Sequence, residues 1–196
     1  MACILEMKGI CKSFPGVKAL EDAGIRVSPG EVHALVGENG AGKSTLMKIL
    51  NGLLQPDSGT IEWNGEPVRI KNPAHARQLG IAMIYQELNP VRFLTVADNL
   101  FLGREPMIGK MPMLDKKRQN REAQKMLDDF GLKVAAETIM DHLSIAQMQM
   151  IEILKAVSCG AKLIVMDEPT SSLTDEEIKI LFDKIRELTA AGVAII

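Results

Sequence analysis

No stretch of this sequence constrains its fold as much as residues 36–50, which read Val36-Gly37-Glu38-Asn39-Gly40-Ala41-Gly42-Lys43-Ser44-Thr45-Leu46-Met47-Lys48-Ile49-Leu50. From Gly37 to Ser44 the pattern G-x-x-x-x-G-K-[ST] is satisfied at every fixed position. An apolar run at 32–36 precedes it, and an apolar-periodic run without a breaker follows as far as Gly52. The predicted context is therefore strand, glycine loop, helix, the setting in which this pattern binds phosphate. Each residue type has a chemical reason. Glycines let successive backbone N–H groups turn inward around an anion without Cβ collisions. A helix starting near Lys43 aims its positive end and its free N–H groups at the same point. Lys43 adds a full charge suited to the β- and γ-phosphates, and the Ser44 hydroxyl is placed for Mg²⁺. The predicted nucleotide-binding residues of this stretch are Gly37, Glu38, Asn39, Gly40, Ala41, Gly42, Lys43, Ser44 and Thr45.

The bulk properties narrow the class. The chain has 196 residues, enough for one large domain or two small ones. Apolar content of 46% with 24% charge is a globular balance. A net charge of −2 argues against a dedicated nucleic-acid binder, and no nucleic-acid partner is expected. The three cysteines, Cys3, Cys11 and Cys159, lack metal-ligand spacing and read as reduced thiols of a cytosolic protein. No stretch reaches the roughly 18 apolar residues of a membrane span. The first residues lack a basic region followed by an apolar run, so no secretory signal is expected.

Along the chain, strands are predicted at 4–10 and 23–27 around a turn at Phe14-Pro15-Gly16, with a second turn at Ser28-Pro29-Gly30. Asn64-Gly65 between apolar runs at 60–63 and 67–70 predicts a hairpin. Asn72-Pro73 opens a short helix that Gly80 ends, and a short strand at 81–85 runs into Gln86. Residues 89–114 are broken by Pro90, Pro106 and Pro112 around a short helix at 96–102. Asp115 caps a helix to Phe130, in which Ala123, Met126, Leu127 and Phe130 share one face, and Gly131 stops it. Ser144 caps a further helix that repeats this spacing at Met150, Ile153, Leu154 and Val157. An apolar strand at 162–166 runs into Asp167-Glu168. Thr174 and Glu177 form a capping box for a helix burying Ile178, Leu181, Phe182 and Ile185. Another buried strand is predicted at 193–196. Strands alternating with helices indicate an α/β fold with a mainly parallel sheet and antiparallel β on both sides of the phosphate loop.

Two adjacent acids at the carboxyl end of an apolar strand, as in Leu163-Ile164-Val165-Met166-Asp167-Glu168, form a Walker B stretch. Ligands of such sheets bind beyond the carboxyl ends of the strands. Asp167 is suited to hold Mg²⁺ through water and Glu168 to polarise an attacking water. With the phosphate loop, Gln86 after a strand, Leu143-Ser144-Ile145-Ala146-Gln147, Asp167-Glu168-Pro169-Thr170 and Ser171-Ser172-Leu173-Thr174, the chain resembles an ABC-transporter ATP-binding subunit over essentially its whole length. The stretch from Lys12-Ser13-Phe14-Pro15-Gly16 to Leu20, and residues 143–149, look most like ATPases of bacterial sugar importers of the ribose, galactose and xylose kind. Two such domains usually share one chain in that group, and this sequence looks like the first.

The resemblance implies a P-loop NTPase fold and roles for single residues. Phe14 matches the aromatic that stacks on adenine. Gln86 matches a glutamine that reaches Mg²⁺ and water, and so joins Glu168 as a catalytic candidate and Ser44 and Asp167 as a metal candidate. Ser144 and Gln147 match the signature motif, which binds the γ-phosphate of ATP held on another domain. Residues 171–174 match the loop linking the two sites of a dimer. The implied cofactors are ATP and Mg²⁺. The implied partners are a second ABC ATPase domain, membrane-spanning permease subunits and, indirectly, a periplasmic sugar-binding protein. The implied location is the cytoplasmic face of the inner membrane, peripheral and without a transmembrane segment. The implied organisation is a nucleotide-binding core with antiparallel β at 1–88 and 159–196, and a helical subdomain at 89–158.

Two departures from the family pattern stand out. Ile145 and Ala146 replace the usual signature glycines, and each Cβ limits how closely backbone approaches a phosphate. The switch histidine of the family follows a strand matching 193–196, where this sequence stops. His33, His75 and His142 all lie before Walker B. The expectation is a C-terminally incomplete domain that binds ATP and hydrolyses it poorly alone. His33 reads as a core or edge residue, and His75 and His142 as surface residues. Val91, Phe93 and Leu94 either dock the membrane subunit or belong to the core. Met148 and Met150 either fill the core or form an adaptable contact surface. The competing function is a soluble ABC-type ATPase acting on nucleic acid or ribosomes, which the net charge and the short segment between Gln86 and Ser144 disfavour. A GTPase is disfavoured by the lack of Asn-Lys-x-Asp.

Overall fold

The computed structural model describes residues 3–85, 90–109, 113–171 and 173–196. They fall into two compact units, one of residues 1–84, 160–167 and 182–196, the other of residues 85–159 and 168–181.

The first unit holds both sheets. Strands β1 (Leu5–Phe14) and β2 (Val17–Val27) pair antiparallel across the Pro15-Gly16 turn, from Leu5 opposite Val27 to Phe14 opposite Val17. Strand β3 (Ser58–Trp63) pairs with the other edge of β1, and the short β4 (Glu66–Pro67) follows it, giving the order β2-β1-β3-β4. The β3–β4 turn has φ of 53° at Asn64 and 82° at Gly65. Both are left-handed, as a two-residue hairpin turn of matching twist requires. Alternate residues Leu5, Met7, Ile61 and Trp63 are buried.

Helix α1 (Lys43–Leu50) buries Leu46, Met47, Ile49 and Leu50 in the same core. Helix α2 (Pro73–Leu79) starts as its sequence predicts. The Asn72 side chain accepts from the His75 N–H, Pro73 occupies the first turn, and Gly80 closes the helix at φ 90°. Strands β5 (Ile81–Ile84), β6 (Leu163–Met166) and β7 (Ala194–Ile195) form the parallel sheet in the order β5-β6-β7. All four residues of the central β6 are buried, which its unbroken apolar run requires of a strand covered on both faces. Among the described residues the parallel sheet has three strands and the antiparallel sheet four.

The second unit is helical. Helices α3 (Val96–Phe101), α4 (Lys116–Phe130) and α5 (Ile145–Ser158) pack around Val96, Leu100, Leu127, Met140, Ile151 and Leu154. Thr95 and Asp115 cap α3 and α4 through side-chain oxygens, and Gly131 ends α4 at φ 80°. Asp98 on α3 accepts from Lys116 and Gln119 of α4. Burial raises the Asp98 pKa, but hydrogen bonds from Lys116 and Thr95 outweigh it and hold the carboxyl below its ordinary value. Met148 and Met150 are buried, so both fill the core. Val91, Phe93 and Leu94 are exposed, which corrects the core reading of that stretch.

Two further expectations need correction. The run at 32–36 does not form a regular strand. It makes a single parallel bridge, Val32 to Ile195, with His33 N–H on the Ile195 oxygen (2.7 Å) and Ile195 N–H on the Glu31 oxygen (2.8 Å). Its neighbour β7 offers two residues for pairing, and Val36 is left 88% exposed. Helix α6 (Asp175–Ala190) buries Leu181, Ile185 and Leu188, while Phe182 is 45% exposed. Residue 182 lies about 100° around the helix from Leu181 and falls off the buried stripe.

Leu181→Ala is expected to cost about 2–5 kcal/mol in chemical unfolding, and Phe182→Ala less than about 1 kcal/mol. Equal losses would mean that Phe182 belongs to the core.

Candidate nucleotide-binding site

The glycine loop is exposed from Gly37 to Ala41 and leads into α1 at Lys43. Gly42 takes φ 90° as the residue before the helix, and no side chain caps that end. A Cβ at Gly42 would lie 2.5 Å from the Ala19 oxygen and 2.7 Å from Leu20 Cδ2. Glycine is therefore required twice, by the left-handed backbone and by the closeness of β2. The amide N–H groups of Gly40, Gly42, Lys43, Ser44 and Thr45 donate to no other described residue. The Lys43 ammonium folds back onto the Gly37 and Glu38 carbonyl oxygens, at 2.5 and 2.9 Å.

Those partners are neutral. Among the described residues Lys43 forms no ion pair, and the first turn of α1 has no acidic residue. An uncompensated ammonium, free N–H groups and a helix N-terminus converge on one exposed loop. This arrangement fits a polyphosphate.

Sheet register places Asp167 at the same end of the unit. Val32 bridges Ile195, which pairs with Ile164. Asp167 lies three residues beyond Ile164 and Gly37 five beyond Val32, on chains that run parallel. Both therefore sit past the carboxyl end of the sheet, where ligands of such folds bind. The Asp167 N–H donates to the Ile84 oxygen at 3.1 Å. Among the described residues no cluster of three or more His, Cys, Asp or Glu side chains is suited to hold a metal. Mg²⁺ needs no such cage, because one or two carboxylates and phosphate oxygens suffice. Ser44 and Asp167 match that donor set.

The β1–β2 hairpin packs against the loop at Gly42. Lys12 pairs with Leu20, which lies against Gly42, and Phe14 ends the same strand. Phe14 is exposed, with the Lys12 ammonium 5.8 Å from its ring centre. Asp57 holds Lys12 at 2.6 Å and accepts from the Ser13 N–H at 2.7 Å. The Lys12 hydrogen bond first, then that of Ser13, keeps the Asp57 carboxyl below its ordinary pKa.

The second unit carries the other candidates. Glu168 is exposed, with φ 46°, an unusual left-handed value for a side chain of its length. Ser144 and Gln147 form a reciprocal capping box at the start of α5. Ser144 accepts from the Gln147 N–H at 3.2 Å, and the Gln147 side chain accepts from the Ser144 N–H at 2.9 Å. Ser144 also donates to Glu177 at 3.5 Å. Of the residues replacing the signature glycines, Ala146 is buried and Ile145 is 52% exposed. The side chain altering the exposed helix start is thus Ile145. Thr174 and Glu177 form the expected capping box. Gln86 and Ser172 lie outside the described residues.

Residues 20–171 match the ABC transporter family. The chain belongs to that family. It is 52% identical to the putative ribose/galactose/methyl galactoside import ATP-binding protein 1 of Rhizobium etli, over 98% of this chain and 38% of that protein. It is 50% identical to the galactose/methyl galactoside import ATP-binding protein MglA of Clostridium perfringens, over 98% of this chain and 37% of that one. The chain thus spans less than two fifths of the length of the curated relatives it matches. Among solved structures, the ADP conformation of MJ1267, an ATP-binding cassette of an ABC transporter, superposes with a TM-score of 0.86 at 30% identity, covering all of this chain and 80% of that one. A nucleotide-free ATP-binding cassette from an ABC transporter also gives 0.86 at 30% identity, over 98% of this chain and 79% of that one. The ABC ATPase fold expected from the motifs is the fold observed, and ABC ATPases bind nucleotide.

Histidine takes no place in the described phosphate loop. His33 is half-buried with Nδ1 3.1 Å from Glu31 Oε1, His75 is half-buried on α2, and His142 is exposed. Two contacts were not read from the sequence. Asp57 lay inside Pro56-Asp57-Ser58-Gly59, which reads only as a chain break. Gln149, buried on α5, donates to the Pro169 oxygen at 2.9 Å and ties that helix to the chain just after Glu168. Its position on the buried face of an otherwise apolar helix was the available signal.

Gln149→Leu, which leaves the Pro169 carbonyl without this donor, is expected to lower stability by about 1–3 kcal/mol in denaturant unfolding. Unchanged stability would show that water replaces the contact. Gly42→Ala is expected to cost about 1–3 kcal/mol from backbone strain alone, read as a lower melting temperature.

Proposed function

We propose that this chain is the ATP-binding and ATP-hydrolysing part of a bacterial importer of a sugar of the ribose or galactose kind. The observation that carries the nucleotide reading is the Lys43 ammonium, held by two neutral carbonyl oxygens beside free loop N–H groups. The sugar reading is supported by relatives at about half identity that are import ATP-binding proteins for ribose, galactose or methyl galactoside. In this reading one ABC ATPase domain comprises a nucleotide-binding core with antiparallel β at 1–88 and 159–196 and a helical subdomain at 89–158.

The loop residues Gly37 to Thr45 hold the phosphates of ATP, with Lys43 against the β- and γ-phosphates and Phe14 against adenine. Ser44, Asp167 and Gln86 supply the ligands for Mg²⁺, which when bound offsets charge on the phosphate oxygens. Glu168 polarises the water that attacks the γ-phosphate in line. Catalysis is then positioning and charge stabilisation, with no covalent intermediate on the protein. Ser144 and Gln147 present the N-terminus of α5 to the γ-phosphate of ATP held on a second ABC ATPase domain. Closure of the two domains and reopening after hydrolysis drive membrane-spanning permease subunits, fed by a periplasmic sugar-binding protein. The exposed Val91, Phe93 and Leu94 suit the permease contact. No helix among the described residues is long and apolar enough to cross a membrane. In this reading the chain is peripheral, on the cytoplasmic face of the inner membrane.

Lys43→Ala is expected to weaken ATP binding by at least about tenfold in calorimetry, through loss of a charged hydrogen-bond donor to phosphate. Glu168→Gln is expected to bind ATP like the native chain and to lower turnover by about a hundredfold or more. Native ATP affinity in the lysine variant would overturn the phosphate-loop reading. Native turnover in the glutamate variant would remove Glu168 from the reaction.

A further inference from the structure

Pairing between β1 and β3 ends at Cys11 opposite Ser58. The three residues of β1 that follow, including Phe14, pair with no strand on that side among the described residues. On the β2 side the register shifts between Ile10 and Lys12 and again between Lys12 and Ser13.

One residue takes over where the ladder stops. The Asp57 N–H donates to the Cys11 oxygen at 2.9 Å. One Asp57 carboxylate oxygen accepts from the Lys12 ammonium at 2.6 Å and the other from the Ser13 N–H at 2.7 Å. Asp57 thus grips three successive residues, Cys11, Lys12 and Ser13, immediately before Phe14. The Lys12 side chain is only 17% exposed, and its ammonium lies between the Asp57 carboxylate and the Phe14 ring. Lys12 is also the partner of Leu20, the residue packed on Gly42. The carboxylate therefore fixes the end of β1 that carries Phe14, and the cation it orients lies over the ring.

We propose that Asp57 is a positioning residue for the nucleotide base, fixing Phe14 through Lys12 and Ser13 while touching no part of the nucleotide itself. The proposal rests on the reading of Phe14 as the base-stacking aromatic. It makes recognition of the base separable from recognition of the phosphates. Asparagine is no substitute at position 57, because its NH2 would replace one of the two oxygens that accept from Lys12 and Ser13 and would face a donor, and the negative charge opposite Lys12 would be lost.

The test measures binding of ATP and of inorganic tripolyphosphate, which lacks a base, to the full chain by calorimetry. Native protein is compared with Asp57→Ala, Asp57→Asn, Phe14→Ala and the Phe14→Ala/Asp57→Ala double variant. Loss of a base–aromatic stack predicts about tenfold weaker ATP binding for Asp57→Ala and for Phe14→Ala. Tripolyphosphate affinity is expected to stay within about twofold, and the double variant to bind ATP no worse than Phe14→Ala, because the two residues act as one unit. Asp57→Asn is expected to move in the same direction at a native melting temperature, which guards against a folding defect in the alanine variant. The proposal is overturned if the Asp57 variants bind ATP normally, lose tripolyphosphate as much as ATP, or multiply with Phe14→Ala. It is equally overturned if Phe14→Ala leaves ATP binding unchanged. A native chain that binds neither ligand would instead sink the nucleotide reading itself.

Discussion

Gly42 must turn through φ 90° with the Ala19 oxygen and Leu20 Cδ2 occupying the space that a Cβ would need. That contact joins three things that are far apart in sequence. It starts α1, so the helix N–H groups open at the loop. It leaves no room for a capping side chain that would occupy them. It also docks the β1–β2 hairpin, at Ala19 and Leu20, beside the loop. A side chain at position 42 would disturb all three together, because the left-handed backbone and the crowding arise at the same atom.

Structural cations are held in two ways, Lys12 and Lys116 by the carboxylates of Asp57 and Asp98, and the half-buried Arg104 by the Leu100 and Ser158 oxygens. Among the described residues, Lys43 at the exposed loop has only carbonyl dipoles as partners. Carbonyls hold an ammonium in place without cancelling its charge, so the field at the loop stays positive and available to an anion. The start of α5 is arranged differently. Ser144 and Gln147 satisfy each other's N–H groups, and Glu177 lies beside the serine hydroxyl. Any anion approaching that helix end must compete with contacts already made, whereas the phosphate loop offers donors with no described partner.

Local chemistry was legible wherever a residue type has one dominant conformational use. Asn72-Pro73, Asn64-Gly65, Gly80, Asp115, Gly131 and the Thr174–Glu177 box all do what their sequence indicates. Each depends on bonds within three or four residues, so nothing distant can override it. The run at 32–36 and Phe182 were misread for the opposite reason. A strand exists only where a neighbour pairs with it, and an apolar helix residue is buried only where something covers it. Neither neighbour is encoded locally. Asp57 escaped notice because its partners are more than forty residues away on another strand.

The sequence by itself determined the phosphate loop, the family and the order of elements, because five ordered motifs specify backbone geometry and side-chain chemistry over short spans. Tertiary structure alone decided which charges are cancelled and which remain, where β1 ends and Asp57 takes over, and that Ala146 is buried while Ile145 is exposed. The physical reason is range. Capping, turn preference and glycine conformation act over a few residues, whereas strand pairing, burial and charge compensation depend on which distant segments meet.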